Sequence, residues 1–273
     1  MQGKTWSLMI WIIILGGALI TVIPFIWMLS TSFKSEGEVF TAALRLIPKQ
    51  WLWRNYVETW NSAPFGRYFF NSFLVAGVGT LGVIITSILG GYALGRLNFP
   101  GRNGVFLAIL GTMMIPTQVT MIPSFMLMRW LGWVNTFYAL IVPFIVSPFG
   151  LFLMRQFFLT IPRELEDAAR IDGCSRLQTL IRIILPNAGP ALASLTIFSF
   201  TALWNEFFWP LIMTTTTEMR TIQLGLAAMK SEYTIQWPLL MAATVLSTLP
   251  IFILYLTFQR FFVKGIVTTG LKE

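Results

Sequence analysis

Charged side chains are scarce in this chain, and many of them gather where apolar sequence stops. The stretch 162–186 reads PRELEDAARIDGCSRLQTLIRIILP and carries four arginines, Arg163, Arg170, Arg176 and Arg182, with Arg155 just upstream. It also holds four of the chain's eleven acidic residues, Glu164, Glu166, Asp167 and Asp172. Long apolar runs flank it on both sides. Two apolar helices need no such insert to stay together. Its chemistry is that of a recognition surface, carboxylates and guanidinium groups offered to a soluble partner. Other polar candidates are few: Gln118 inside one apolar run, and Asn205 and Glu206 near the end of another, just ahead of Trp209. A carboxylate inside a membrane is costly and is a functional candidate by default. Glu206 is either such a group or one already at the interface, where it costs little. Gln118 is a candidate pathway-lining hydrogen-bonding group, set against the blander reading of a side chain beside an ordinary proline kink.

The residue inventory excludes much chemistry. There is no histidine, which removes His-based zinc sites and His-dependent triads. No pair of intramembrane carboxylates offers an acid–base couple, so neither an enzyme nor a metal or other cofactor is expected. The single cysteine, Cys174, permits no intrachain disulfide. No G-x-x-x-x-G-K-[ST] phosphate loop occurs, so any ATP hydrolysis of that kind would belong to another chain. The net charge of +8 sits beside apolar runs, where membrane topology accounts for it without nucleic acid.

The elements that position these residues follow from composition. With 56% hydrophobic and 11% charged residues and a mean hydropathy of +0.72, lipid is the expected solvent. Alternation over ten-residue segments is absent, so a lipid-facing barrel is not expected. The predicted fold is an all-α polytopic membrane protein with six helices crossing a core about 30 Å thick. They are placed at 8–30, 73–94, 105–128, 136–154, 191–208 and 239–258. The first is too long in its apolar core for a signal peptide and is read as a retained helix. With both termini in the cytoplasm, eleven Lys/Arg fall inside and eight outside, five of those eight in the one long outer segment. That modest bias favours this orientation. The chain then reads as one transmembrane domain, 1–273. Within it, 34–69 is an outer interfacial loop, 155–189 a cytoplasmic loop, 210–236 an outer loop and 262–273 a cytoplasmic tail.

Local signals refine this outline. Trp51, Trp53, Tyr56 and Trp60 suit a headgroup-level segment with short helices. Gly77, Gly79, Gly82, Gly90 and Gly91 lie along one apolar helix and predict close packing inside a bundle. Pro116 and Pro123, then Pro143 and Pro148, predict bends in the third and fourth spans. In the insert, Pro162 suits a first helical turn, and the acidic residues after it face the positive end of the helix dipole. Asp172–Gly173 reads as a helix stop with glycine in the left-handed region, and Ser175 as the cap of a second helix that Pro186 ends.

At this point the insert resembles a known family. Permeases of binding-protein-dependent ABC importers carry the pattern Glu-Ala-Ala-x-x-Asp-Gly-x9-Ile-x-Leu-Pro between two late spans. This chain has Asp167-Ala168-Ala169-Arg170-Ile171-Asp172-Gly173, nine residues, then Ile183-Ile184-Leu185-Pro186. Asp167 replaces the usual glutamate, keeping the charge with a shorter reach. The resemblance covers nearly the whole chain and is nearest to the smaller permease of maltose-type carbohydrate importers. Asn71-Ser72, Trp204-Asn205-Glu206 and the ending Phe262-Val263-Lys264-Gly265 add to it.

The resemblance implies a type I ABC importer permease fold in the bacterial inner membrane, with the insert as a cytoplasmic coupling helix. Its ATPase-coupling residues would be Glu166, Asp167, Ala168, Ala169, Asp172, Gly173, Ile183, Leu185 and Pro186. Asp167 would pair with a basic group, Ala168 and Ala169 would allow close approach, and Gly173 would supply the bend. Gln118, Asn205, Glu206 and Trp209 are the candidates for the translocation pathway. Implied partners are a second homologous permease, a cytoplasmic ATPase dimer, an extracytoplasmic solute-binding protein reached by the 210–236 loop, and membrane lipid. The solute would be a carbohydrate or a related molecule. The alternative from a different class is an ion-coupled secondary transporter. It fits less well, because the spans hold no ionisable group besides Glu206 and no internal repeat.

Overall fold

A computed structural model describes residues 2–40, 45–230 and 235–270. All regular structure among them is helical. In order these are α1 (Gln2–Thr31), α2 (Glu36–Val39), α3 (Arg54–Ser62), α4 (Phe65–Arg96), α5 (Arg102–Thr112), α6 (Thr117–Trp130), α7 (Phe137–Ile141) and α8 (Pro148–Thr160). The chain continues through α9 (Glu164–Ile171), α10 (Arg176–Thr179), α11 (Leu185–Asn187), α12 (Gly189–Trp204), α13 (Phe208–Met213), α14 (Ile222–Ala228) and α15 (Trp237–Gly270).

Among the described residues, four helical stretches are long and apolar enough to cross a bilayer: Met9–Thr31, Phe65–Arg96, Phe137–Thr160 and Trp237–Arg260. Two bent pairs bring the number to six: α5 with α6, turned by 96°, and the stretch Arg176–Asn187 with α12, turned by 82°. The third and fifth spans are therefore discontinuous. Pro116 stands at the first break, where its ring cannot continue the preceding helix. The fourth span is interrupted too. Pro143 sits in a 3-10 turn, and Pro148 opens α8 behind Ser147, whose hydroxyl accepts from Gly150 N at 3.1 Å. The fifth span ends earlier than in the sequence reading, which placed it at 191–208. α12 begins at Gly189 and stops at Trp204, leaving Asn205 and Glu206 in a bend before α13.

The chain falls into two compact units, one drawn from the first 66 residues with Gly225–Leu249, the other from Arg67–Leu224 with the chain beyond Pro250. In the first, Phe33 is the centre of an aromatic group with Trp51, Trp53 and Tyr56 at centroid distances of 5.1, 4.6 and 5.2 Å. Asn55 Nδ2 donates to the carbonyls of Ser32 and Lys34, both at 2.9 Å, and so fixes α3 to the end of α1. The short helices expected between residues 34 and 69 are α2 and α3. Between Met9 and Leu29, α1 has no buried residue within its own chain and exposes large apolar side chains.

The second unit holds the insert. Its core joins Val83 and Tyr92 of α4, Met154 and Phe158 of α8, Leu180 and Ile184 of the insert, and Ala191 and Leu195 of α12. The glycines of α4 explain how these helices close up. A Cβ on Gly82 would lie 2.7 Å from Ile145, one on Gly90 2.8 Å from Leu151, and one on Gly91 2.9 Å from the Arg155 backbone nitrogen. Gly79 meets Leu203 of α12 in the same way. Gly77 faces open space. Four of the five glycines thus act as the sequence predicted, as points of close approach.

Candidate functional site

The insert folds as helix, elbow, helix. α9 starts at Glu164, two residues later than Pro162 suggested, and Arg163 O accepts from Glu166 N and Asp167 N. Glu164, Glu166 and Asp167 occupy its first turn, where they oppose the helix dipole. It ends in a paired hydrogen-bond motif, Cys174 N to Ala169 O at 2.9 Å and Gly173 N to Arg170 O at 3.0 Å. Gly173 takes φ +79°, which a Cβ would oppose. Ser175 then starts α10 with a reciprocal cap: its hydroxyl accepts from Gln178 N, and Gln178 Oε1 accepts from Ser175 N at 2.7 Å.

Beyond α10 the backbone widens into a π turn, Leu180–Ile184, before α11. Pro186 does not end the helix as expected. It lies at the start of α11, where its missing N–H costs nothing, and the bend falls after Asn187.

α9 divides its side chains sharply. Glu166 and Ala169, three apart on one face, are buried. Asp167, Ala168, Ile171 and Asp172 are exposed, Ile171 at 86%. Neighbouring carboxylates therefore do opposite things. Asp167 points outward and pairs with Arg170 of its own helix, at 3.4 Å, with both side chains more than 60% exposed. Glu166 points inward, and its Oε1 lies 3.0 Å from Arg96 Nε at the last residue of α4, with the two side chains 8% and 2% exposed. The Nε–H is not aimed along that contact, so the attraction is that of an ion pair rather than a linear hydrogen bond. The second arm of Arg96 donates to Ile161 O, at the end of α8. Arg155 of α8 returns the connection: its Nε donates to Leu94 O at 3.1 Å, and its guanidinium lies 3.9 Å from the Phe106 ring centroid. Ile183 and Leu185 are half-buried, and Pro186 is exposed.

The pathway candidates are not brought together as a group. Gln118 is exposed on the first turn of α6, after the break. Asn205 is exposed and accepts from Gln223 Nε2 at 3.1 Å. Glu206 Oε1 accepts from Trp209 N at 3.0 Å and so caps α13. Trp209 is buried, donates its indole N–H to Ala139 O at 2.8 Å, and meets Phe144 edge-on.

Sequence reasoning cited Asn71 and Ser72 only for their resemblance to the family and missed Asn135; together these residues hold the loop after α13. Asn135, at φ 63°, accepts through Oδ1 from Thr215 N at 2.9 Å and Thr216 N at 3.2 Å. Asn71, fully buried, donates to Glu218 O at 2.7 Å and Arg220 O at 2.8 Å, and Ser72 Oγ accepts from Ile222 N at 2.8 Å. Arg96 was counted only as a loop charge. An arginine closing an apolar run looks like a topology signal, and nothing local names its partner seventy residues on. Asn135 had a weak signal, as asparagine tolerates the left-handed region better than most residues.

Apolar spans, three of them interrupted, and a charged elbow with one face anchored and the other exposed define a multi-span helical transport subunit. Residues 82–268 match the family model described as the binding-protein-dependent transport system inner membrane component, and the chain belongs to that family. It is 36% identical to the arabinooligosaccharides transport system permease protein of Halalkalibacterium halodurans, over the whole of both chains. It is 35% identical to the sn-glycerol-3-phosphate transport system permease protein of Yersinia enterocolitica, covering 94% of each. With the sulfoquinovosyl glycerol transport system permease protein of Agrobacterium fabrum the identity is 34%, over 91% of this chain and 88% of that one. A crystal structure of a bacterial ABC transporter involved in import of the acidic polysaccharide alginate contains a chain that superposes with TM-score 0.85 at 26% identity, covering 95% of this chain and 97% of that one. The chain is thus a non-catalytic permease subunit of an ABC importer, and ATP hydrolysis belongs to a partner.

Proposed function

We propose that this chain forms half of the translocation pathway for a carbohydrate or related polyhydroxy solute, in the bacterial inner membrane with both termini in the cytoplasm. The observation that carries this reading is the two-faced α9. Asp167, Ala168 and Ile171 are free on a helix whose other face is held to the bundle by Glu166 and Ala169. A charged group, a small residue and an apolar knob on one anchored turn suit a cleft in a soluble ATPase. Asp167 pairs there with a basic group, Ala168 admits close approach, and Asp172 with Gly173 sets the elbow. Ile183, Leu185 and Pro186 carry the displacement towards α12.

The partners in this reading are a second, homologous permease, an ATPase dimer on the cytoplasmic side and an extracytoplasmic solute-binding protein that meets the loop 210–236. ATP binding favours an outward-open arrangement by rigid-body rocking of the two permeases. Gln118 and Asn205 face the pathway, while Glu206 and Trp209 hold the bend that presents Asn205. The solute class is supported by the relatives named for arabinooligosaccharides, sulfoquinovosyl glycerol and glycerol phosphate, all rich in hydroxyl groups.

The test is reconstitution in vesicles with a partner permease, an ATPase and a solute-binding protein. ATP-dependent accumulation of a labelled oligosaccharide or polyol is expected. Uphill uptake by this chain alone, driven by an ion gradient, would overturn the reading.

A further inference from the structure

One helix touches both the insert and the loop after α13, at opposite ends. Arg96, the last residue of α4, holds Glu166 and Ile161. Asn71 and Ser72, in the second turn of the same helix, hold Glu218, Arg220 and Ile222. These contacts are some 25 residues apart on an unbroken helix, hence roughly 37 Å. We propose that α4 is a connecting rod between the ATPase-docking insert and the opposite-face loop, with Arg96, Asn71 and Ser72 as positioning residues that couple the two. The proposal rests on the function proposed above and names how its two docking surfaces communicate.

The nature of the end contacts supports a rod over a general scaffold. Apolar packing is non-directional, so the greasy core that the π turn shares with α4, α8 and α12 can slide. A buried ion pair cannot slide without leaving a charge unpaired, so α9 and the end of α4 move together. At the other end, Asn71 is fully buried and donates both amide hydrogens to loop carbonyls, a geometry that also fails if either side shifts. Between the ends, α4 is set backbone-close against Ile145, Leu151 and Arg155, so it is guided along its length. Arg170–Asp167, the exposed pair on α9, offers no such grip.

Coupling of the reconstituted complex is read as solute accumulated per ATP hydrolysed, with and without binding protein. Glu166→Gln and Ser72→Ala are each expected to lower this ratio about tenfold, within the usual range of coupling between sites, while the ATPase still co-purifies. Substitutions this far apart are ordinarily additive. On a shared rod the double variant is expected to lose little beyond either single one. Additive loss would overturn the proposal, as would wild-type coupling in Glu166→Gln. Loss of the ATPase from Glu166→Gln would overturn it too, by making Glu166 a contact surface. Where Glu166→Gln fails to reach the membrane, Arg96→Lys, which keeps the charge but not the two-armed grip, is scored against Ser72→Ala in the same way. A wild-type complex that shows no ATP-driven uptake would instead indict the underlying function.

Discussion

Glu166 and Arg96 meet at 3.0 Å inside the protein, although their neighbours Asp167 and Leu97 lie in more open surroundings. Removing one partner of a buried pair strands the other charge and costs about 3–5 kcal/mol, whereas replacing both by apolar residues costs far less. Glu166→Ala is expected to lower the thermal unfolding midpoint of the detergent-solubilised chain markedly. The double change Arg96→Met with Glu166→Met should recover most of the loss. Equal destabilisation in both variants would show that the pair is not internal.

Asp167 makes a different forecast. Its exposed pair with Arg170 is worth no more than about 1 kcal/mol, so its replacement should leave the melting point unchanged. Asp167→Glu should support full uptake, and Asp167→Lys should reduce the ATPase recovered in a pull-down. Full recovery with Asp167→Lys would remove this residue from the docking face.

Gly173 tests the elbow. At φ +79° a side chain costs about 1–2 kcal/mol, less for asparagine than for valine. Gly173→Asn should retain much of the uptake and Gly173→Val little, with equal amounts of protein in the membrane. Equal uptake by the two would mean that the bend angle is not what the partner reads.

The α4 glycines separate by position. Gly91→Ala would place a methyl 2.9 Å from backbone and should cost about 1–3 kcal/mol as overpacking. Gly77→Ala meets nothing and should be neutral or slightly stabilising, since alanine favours a helix by up to about 1 kcal/mol. Melting curves of the two variants check the order.

Asn135 performs two tasks, a left-handed turn and a clasp on Thr215 and Thr216. Asn135→Gly should keep the turn and lose the clasp, leaving the chain folded but its 214–217 segment quicker to be cut in limited proteolysis. Unchanged cleavage would show that the loop is held by Asn71 and Ser72 alone.

Much of this was legible in residue order, for identifiable reasons. Helix stops and caps are local: the Asp172–Gly173 elbow and the Ser175 cap follow from side-chain chemistry within three or four residues, and the structure has both. Proline positions foretold breaks in the third and fourth spans. Pro186 misled because proline is also at home in a first helical turn. The boundary of the fifth span was misplaced for a related reason. Trp204, Phe207, Phe208 and Trp209 sustain an apolar run across a bend that Glu206 caps, and hydropathy has no sense of direction. Arg96, Asn71 and Asn135 were legible only in part because their partners lie seventy to one hundred and fifty residues away.

The length of α4 has a consequence for the membrane itself. Its 32 residues extend for about 48 Å, against a hydrocarbon layer of about 30 Å. Both ends of the helix can therefore stay beyond the hydrocarbon layer while the bilayer thickens or thins by several ångströms, the difference being taken up in tilt. For this helix, vesicles of short or long phospholipids are expected to serve about equally.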